Sequence, residues 1–170
     1  MIIRRERHGD HDAVRGIHAA AFDRGGGVPV EVGLLDALRE DDGWLAHLSW
    51  VAEIDGRVVG HVVSTRAHVD DLCCVGLGPI GVAPEVQRVG VGSALVHVSI
   101  GAADASGEPL IALLGDPDYY SRFGFVASSE LGVEAPDVAW GVHFQALPLS
   151  AWTAEARGAF KYATPFDEVD

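Results

Sequence analysis

Apolar residues recur along the chain at two spacings, and the changes between these spacings predict a mixed α/β protein. Intervals of three and four residues predict helices over 14–21, 30–39 and 93–105. Alternating or short continuous apolar runs predict strands at 2–3, 50–54, 57–68, 80–82, 110–114, 125–127 and 142–149. Helices that alternate with strands in this way are typical of one α/β domain rather than of separate helical and sheet domains.

Two local signals refine this pattern. Asp55 and Gly56 stand between the runs 50–54 and 57–68, and an Asp-Gly pair between strand-like segments predicts a β-hairpin. The run 110–114 is short and wholly apolar, as expected for a strand that is buried on both faces. Residues 151–170 show little periodicity, so we predict one domain over 1–150 and a peripheral C-terminal extension over 151–170, either packed on the same domain or partly flexible.

The segment 77–95 combines a strand, a glycine-bearing loop and the start of a helix. Ile80 and Val82 suit a strand, and Pro84 ends it because proline cannot donate to a sheet ladder. Gly90 and Gly92 then precede the predicted helix, and free N–H groups at a helix N-terminus can bind phosphate. Such glycines can also serve only to turn the chain. The spacing matches neither a Walker A loop nor the dinucleotide fingerprint.

Composition narrows the function classes. The 170-residue chain carries a formal net charge of −13, which disfavours a general role in binding nucleic acid and favours cationic partners. The N-terminus lacks the apolar region of a signal peptide, and no apolar run reaches membrane-spanning length. We therefore expect a cytoplasmic protein without membrane contact. Cys73 and Cys74 are adjacent, which makes neither a disulfide framework nor a zinc site, and we expect no metal.

Two motifs of the chain resemble those of a known family. The pattern V-x-P-x-x-Q-x-x-G-x-G resembles the coenzyme-A-binding motif of the GCN5-related N-acetyltransferases (GNAT), and it is formed here by Val82, Pro84, Gln87, Gly90 and Gly92. The segment 119–125, Y-Y-S-R-F-G-F, resembles the later tyrosine motif of the family. With the preceding G-D-P-D it is similar to the G-x-P-x-Y-Y-x-R-F-G-F style of a subfamily of predicted small N-acetyltransferases.

This resemblance implies a single domain with a mixed, mostly antiparallel sheet, flanking helices and a V-shaped splay between the fourth and fifth strands. It implies acetyl-CoA as cosubstrate, with Arg88 and Arg122 as local positive charges in an acidic protein. It also implies cofactor binding along the fourth strand and the glycine loop, by Ile80, Gly81, Val82, Gln87, Arg88, Val89, Gly90, Val91, Gly92, Ser93 and Tyr120.

The implied activity is N-acetylation of a small-molecule or peptide amine by direct attack on the thioester, with Tyr120 as the general acid in preference to Tyr119. The acidic surface favours a cationic small molecule as the acceptor. Homodimers are common among relatives. The sequence leaves open a protein that binds acyl-CoA without turnover, as a sensor or regulator. A purely structural interaction module that binds no coenzyme A is a third reading.

The chain departs from the family pattern at two positions. Some members use a glutamate on the fourth strand as general base, and Gly76 stands at the matching position. Asp71, Glu53, His61 and a water chain all remain open as the base. Many relatives carry an asparagine about seven residues before the tyrosine, where this chain has Leu113, so one usual cofactor contact is in doubt.

Overall fold

The computed structural model describes residues 1–168 and shows a central sheet with helices on both faces. The helices are α1 (His11–Ala21), α2 (Val30–Glu40), α3 (Val91–Ala105) and the short α4 (Pro117–Tyr120). The strands are β1 (Ile2–Arg5), β2 (Trp50–Ile54), β3 (Arg57–Val69), β4 (Leu72–Val82), β5 (Leu110–Leu114), β6 (Val126–Ala127), β7 (Val133–Glu134), β8 (Phe144–Pro148) and β9 (Gly158–Lys161). The predicted mixed α/β fold is confirmed.

The sheet follows the order β1-β2-β3-β4-β5-β8-β6, and β9 pairs with the far end of β3. Neighbours in that order are antiparallel except β4 and β5, which run parallel. The Asp55-Gly56 turn joins β2 to β3 as predicted, and both residues have positive φ. β4 begins eight residues before the predicted start at 80, because Asp70 and Asp71 form a second tight turn that folds it back along β3.

The long strand β3 separates two apolar layers. Val62 packs with the layer on the α3 side, which includes Leu95, whereas Val63 packs with Val14 and Leu35 of α1 and α2. Adjacent side chains of a strand point to opposite faces, so β3 is buried on both faces at these positions. The helices therefore cover both faces of the sheet.

The described part of the C-terminal extension packs against the sheet rather than at its periphery. Phe160 on β9 is 2% exposed and packs with Phe144 of β8, their ring centroids 5.1 Å apart. Val69 of β3 pairs with Phe160, so residues of the extension complete the sheet. The last two residues of the predicted extension, 169–170, lie outside the described residues.

A buried polar chain connects α1 to the sheet behind β4. His18 Nε2 lies 2.9 Å from His61 Nδ1, and His61 Nε2 lies 3.2 Å from Glu6 Oε2. Glu6 also accepts a hydrogen bond from Arg39 at 2.5 Å. Because a carboxylate only accepts, His61 Nε2 donates to Glu6, and His61 Nδ1 is left to accept the N–H of His18. His61 is therefore neutral in this arrangement.

The protonation of these groups follows from their surroundings. Burial lowers the pKa of His18 to about 3, with the nearby His61 and Arg39 charges acting in the same direction. Burial also lowers the pKa of His61, although the contact with Glu6 opposes it. For Glu6, burial alone would raise the pKa, but His61 and Arg39 outweigh it and the net pKa is lowered. All three groups favour the unprotonated network.

We expect the protein to lose stability as the pH falls from 7.5 to 5. The unfolded chain binds a proton at His18 below its ordinary pKa of 6.5, while the folded chain does not until about 3. One pKa unit is worth about 1.4 kcal/mol, so His18 alone lowers the free energy of unfolding by about 2 kcal/mol at pH 5. Chemical denaturation across this pH range measures the change.

The matched variants are His18→Leu and His47→Gln. His18→Leu removes the buried imidazole and should flatten the pH dependence, even if it is less stable at pH 7.5. His47 is exposed, so His47→Gln should keep the wild-type slope. If His18→Leu shows the slope of the wild type, the assignment of acid sensitivity to this network is wrong.

Candidate active site

The sheet opens between β4 and β5. The two parallel strands pair only at Val75 with Ile111 and at Gly76 with Ala112. Beyond Gly76, within the described part of the chain, β4 continues to pair with β3 but has no partner on its β5 side. Two cavities flank this opening and share Phe22, Ile80 and Tyr120 in their walls.

The first cavity, of about 540 Å³, lies at the glycine loop and the start of α3. Gly90 has φ +97°, which favours glycine, and α3 begins at the next residue without a side-chain cap from residues 1–168. Gln87 Nε2 donates to the carbonyl oxygen of Val82 at 3.0 Å and so fixes the loop to the end of β4. The uncapped N–H groups of the first turn are therefore available to a ligand.

Most of the residues predicted to bind a cofactor line this cavity: Ile80, Val82, Gln87, Arg88, Gly90, Gly92, Ser93 and Tyr120. The side chains of Val89 and Val91 do not, because Val89 is 71% exposed and Val91 is buried in the core under α3. Gly81 also faces away, since a Cβ there would lie 2.9 Å from the His18 ring. These three residues have only their backbone groups to offer.

The charge of the first cavity is opposite to that of the whole protein. Arg88 and Arg122 both line it, and none of the described side chains on its wall is acidic. Arg122 stacks over the Tyr119 ring, with its Cζ 4.7 Å from the ring centroid. A Cβ at Gly92 would lie 3.0 Å from the Tyr119 hydroxyl, so the glycine keeps this part of the cavity open.

Tyr120 lies at the border between the two cavities. It is the last residue of α4, which begins three residues after the end of β5. The Asp116 carboxylate accepts a hydrogen bond from the N–H of Asp118 at 3.0 Å and caps α4, and Pro117 fills its first turn. A Cβ at Gly115 would lie 2.4 Å from the Tyr120 ring, so the ring packs directly over this glycine. Burial, with the adjacent Tyr119, raises the pKa of Tyr120 to about 12, so its hydroxyl is a proton donor at neutral pH.

The second cavity, of about 910 Å³, lies on the other side of Tyr120, between α2, β4 and the C-terminal extension. Sequence reasoning missed most of its wall, including Glu31, Trp140, Tyr162, Phe166 and Asp167. Three of these belong to the extension, whose weak periodicity gave no signal. The one local feature of the extension that could have indicated this wall is the aromatic content of residues 160–166, F-K-Y-A-T-P-F.

Tyr162 explains why a glycine stands at position 76. A Cβ at Gly76 would lie 2.9 Å from Cδ1 of Tyr162, so the tyrosine ring occupies the space of a side chain on β4. Burial raises the pKa of the Tyr162 phenol, with small contributions from Cys74 and Tyr120, so it also stays protonated. The extension thus supplies a hydroxyl-bearing ring where some family members place a glutamate.

The side chains that the sequence left open as general base do not line either cavity. Glu53 accepts a hydrogen bond from Arg4 at 2.9 Å, and His61 is fully buried in the network behind β4. Asp71 is exposed in the turn between β3 and β4. The carboxylates that do line the second cavity are Glu31 and Asp167. Leu113, at the position of the family asparagine, is 2% exposed in the core.

The described residues contain neither a metal-binding cluster nor a membrane-spanning helix. Over residues 1–168, no group of three or more His, Cys, Asp or Glu side chains is placed to hold a metal ion. None of the helices described is long and apolar enough to cross a membrane. Cys73 and Cys74 are free thiols, and burial raises the pKa of Cys74 to about 12, so Cys74 is a core residue rather than a reactive thiolate.

Comparison with known proteins gives consistent matches. A family model described as an acetyltransferase (GNAT) domain matches residues 46–127. The chain is 33% identical over 132 residues to an uncharacterized N-acetyltransferase, YjhQ, of Escherichia coli K12, covering 75% of this chain and 71% of YjhQ. It is 34% identical over 97 residues to another uncharacterized N-acetyltransferase of that strain, YhbS, covering 56% of this chain and 58% of YhbS.

Solved structures agree over nearly the whole chain. A GNAT family acetyltransferase from Brucella melitensis in complex with acetyl-CoA is 31% identical, with a TM-score of 0.78 over 98% of this chain and 97% of that chain. YhbS from Escherichia coli in complex with CoA is 26% identical, with a TM-score of 0.86 over 98% of this chain and 91% of that chain. The similarity therefore includes the C-terminal extension.

The two glycines Gly90 and Gly101 should respond in opposite ways to alanine. Gly90 has a left-handed φ, so Gly90→Ala should cost about 1 kcal/mol of stability. Gly101 lies inside α3, is exposed and has nothing within 4 Å of its Cβ direction, so Gly101→Ala should add about 0.5–1 kcal/mol. Chemical denaturation of both variants checks this. Equal effects of the two changes would show that the loop does not hold Gly90 in the left-handed region.

Proposed function

Because the chain belongs to the GCN5-related N-acetyltransferase family, we propose that it moves the acetyl group of acetyl-CoA to an amine by direct attack, with Tyr120 as general acid. The observation that carries the proposal is the position of Tyr120, where a positively charged cavity meets a second, mostly apolar cavity across the opening of the sheet. A transferase needs two binding sites that share one reacting centre, and this arrangement provides them.

The first cavity suits the anionic cosubstrate. The uncapped start of α3 offers backbone N–H groups to phosphate, and Ser93, Arg88 and Arg122 add a hydroxyl and two positive charges. Gly92 leaves room for a close approach that a Cβ would fill. We propose that the amide-containing arm of acetyl-CoA lies along the unpaired side of β4 at Ile80, Gly81 and Val82, as an added strand would.

The reaction needs a polarised carbonyl and a stabilised leaving group. The neutral amine nitrogen attacks the thioester carbon, a C–N bond forms and the C–S bond breaks, and solvent water takes up the proton that the nitrogen loses. A backbone N–H of β4 near Ile80 or Val82 stabilises the developing oxyanion, an effect worth about 3 kcal/mol in other enzymes. A pKa raised to about 12 keeps the Tyr120 hydroxyl protonated at neutral pH, so it is present to hydrogen-bond the sulfur and to give its proton to the thiolate as the C–S bond breaks, and solvent then returns a proton to the tyrosine.

The second cavity supports an enzyme over a protein that binds acyl-CoA without turnover. A sensor needs no acceptor site, whereas this chain keeps a cavity of about 910 Å³ open at the far side of Tyr120. We propose that this cavity receives the amine. The homodimer that the resemblance implies and the cytoplasmic location stay predictions. The choice between a small-molecule and a peptide acceptor stays open.

The first test is calorimetric titration with acetyl-CoA, with free CoA as the comparison. Gly92→Phe should weaken binding by roughly tenfold or more, about 1.4 kcal/mol, because the new ring enters the first cavity beside Tyr119. Gly101→Phe, on the exposed side of the same helix, should bind like the wild type. No detectable binding by well-folded wild type would remove the basis of the proposal.

Tyr120→Phe tests the role of the hydroxyl. We expect kcat to fall by roughly 10²–10⁴-fold with little change in acetyl-CoA affinity, because only the proton donor is lost. Tyr119→Phe removes a hydroxyl from the first cavity alone and should retain most of the turnover. Release of free thiol measures the rate. Comparable turnover by Tyr120→Phe and the wild type would exclude Tyr120 as the general acid.

A further inference from the structure

The wall of the second cavity is mainly aromatic and aliphatic. Phe22, Trp140, Phe160, Tyr162 and Phe166 all contribute to it. The Tyr162 and Phe166 rings pack with centroids 4.6 Å apart. Aromatic faces bind apolar groups and also attract an ammonium group, whereas they offer few hydrogen bonds to a polyhydroxylated ligand. This wall therefore fits an acceptor with an apolar body.

The charged side chains described on the same wall match a ligand that carries a single positive charge. Among residues 1–168, Glu31 and Asp167 are the acidic residues on it and Lys161 is the basic one, so these residues carry one net negative charge. Lys161 is also the only lysine of the chain, and no ion pair of Lys161 occurs among residues 1–168. A ligand with several ammonium groups would need several carboxylates and would be repelled by Lys161. The cavity therefore suits a monoamine.

Apolar side chains continue from the cavity to the surface. Val30 is 55% exposed and Leu114 is 47% exposed, and both line the cavity. Val138 and Val142 flank Trp140 along the chain and are 92% and 61% exposed. Exposed apolar groups that cluster at one site mark a binding region more often than scattered ones do. The exposed part of the wall, which forms the entrance, thus has the same chemical character as the buried part.

From the wall, the charge balance and the entrance together, we infer that the acceptor is a small monoamine on an apolar body of about aromatic size. Polyamines and aminoglycoside-like polycations are poor acceptors. The inference rests on the proposed function, since it names the substrate class of the acceptor site. The cavity volume of about 910 Å³ lies within the range of small-molecule sites and accommodates such a ligand beside the reacting thioester.

The test is a thiol-release assay with saturating acetyl-CoA and four amines. Phenethylamine is the apolar monoamine, ethanolamine is the small polar monoamine, spermidine is the polyamine, and kanamycin is the aminoglycoside. We expect kcat/KM for phenethylamine to exceed each of the others by roughly tenfold or more. Thiol release without added amine, in wild type and in Lys161→Arg, corrects for acetylation of the protein itself.

Two kinds of variant probe the wall. Trp140→Ala and Phe166→Ala should each raise KM for phenethylamine by a larger factor than KM for ethanolamine, because each removes an aromatic side chain that would contact the apolar body. Lys161→Glu should raise kcat/KM for spermidine relative to phenethylamine, because it adds carboxylate and removes the repelling charge. Arg157→Glu makes the same change of charge in the extension at an exposed residue outside the cavity and should not shift that ratio.

The outcomes distinguish failure of the substrate class from failure of the proposed acetyltransferase activity. Turnover of spermidine, kanamycin or ethanolamine at least equal to that of phenethylamine would overturn the substrate class and leave the acetyltransferase standing. A phenylalanine-initiated tripeptide that outperforms phenethylamine tenfold would overturn the small-molecule acceptor in favour of a peptide. No acetyl-CoA binding, with no thiol release from any amine, would overturn the proposed function and the inference together.

Discussion

The end of the β4–β5 ladder at Gly76 and Ala112 is the constraint on which the site depends. In a continuous sheet, the backbone groups of β4 from Leu77 to Val82 would bond to the next strand on both sides. Here they bond to β3 on one side only, and the other side faces the opening. Buried backbone groups require partners, so this edge favours an extended, amide-containing ligand. The same opening also separates the two cavities that such a ligand must connect.

Three glycines allow aromatic and imidazole rings to pack directly against the strands at this opening. Gly76 makes room for Tyr162, Gly115 for Tyr120 and Gly81 for His18, each with a ring atom within 3 Å of the position that a Cβ would take. Tyr120 and Tyr162 fill the space at the opening, while His18 and its partners support β4 from behind. These glycines therefore determine where the functional rings lie.

Local signals predicted the elements that short-range chemistry determines. The Asp55-Gly56 hairpin and the loop before α3 could be predicted because turn residues act within a few positions. The pairing of β9 with β3 was not readable, since it joins residues about ninety positions apart in a segment without periodicity. The wall of the second cavity was missed for the same reason, because α2 and the extension meet only after folding. The polar roles of Glu53 and His61 also depend on partners that are distant in sequence.

The electrostatics of the site reconcile an acidic protein with an anionic cosubstrate. A net charge of −13 repels coenzyme A at long range, but that repulsion is screened over about 10 Å at moderate ionic strength. Arg88 and Arg122 act at short range, inside a cavity whose described wall carries no acid. The second cavity has the opposite balance and benefits from the global field, which concentrates cations near the surface. With the two cavities in their proposed roles, cosubstrate binding depends on local contacts and acceptor binding on the whole charge of the chain, so added salt should weaken acceptor binding more than cosubstrate binding.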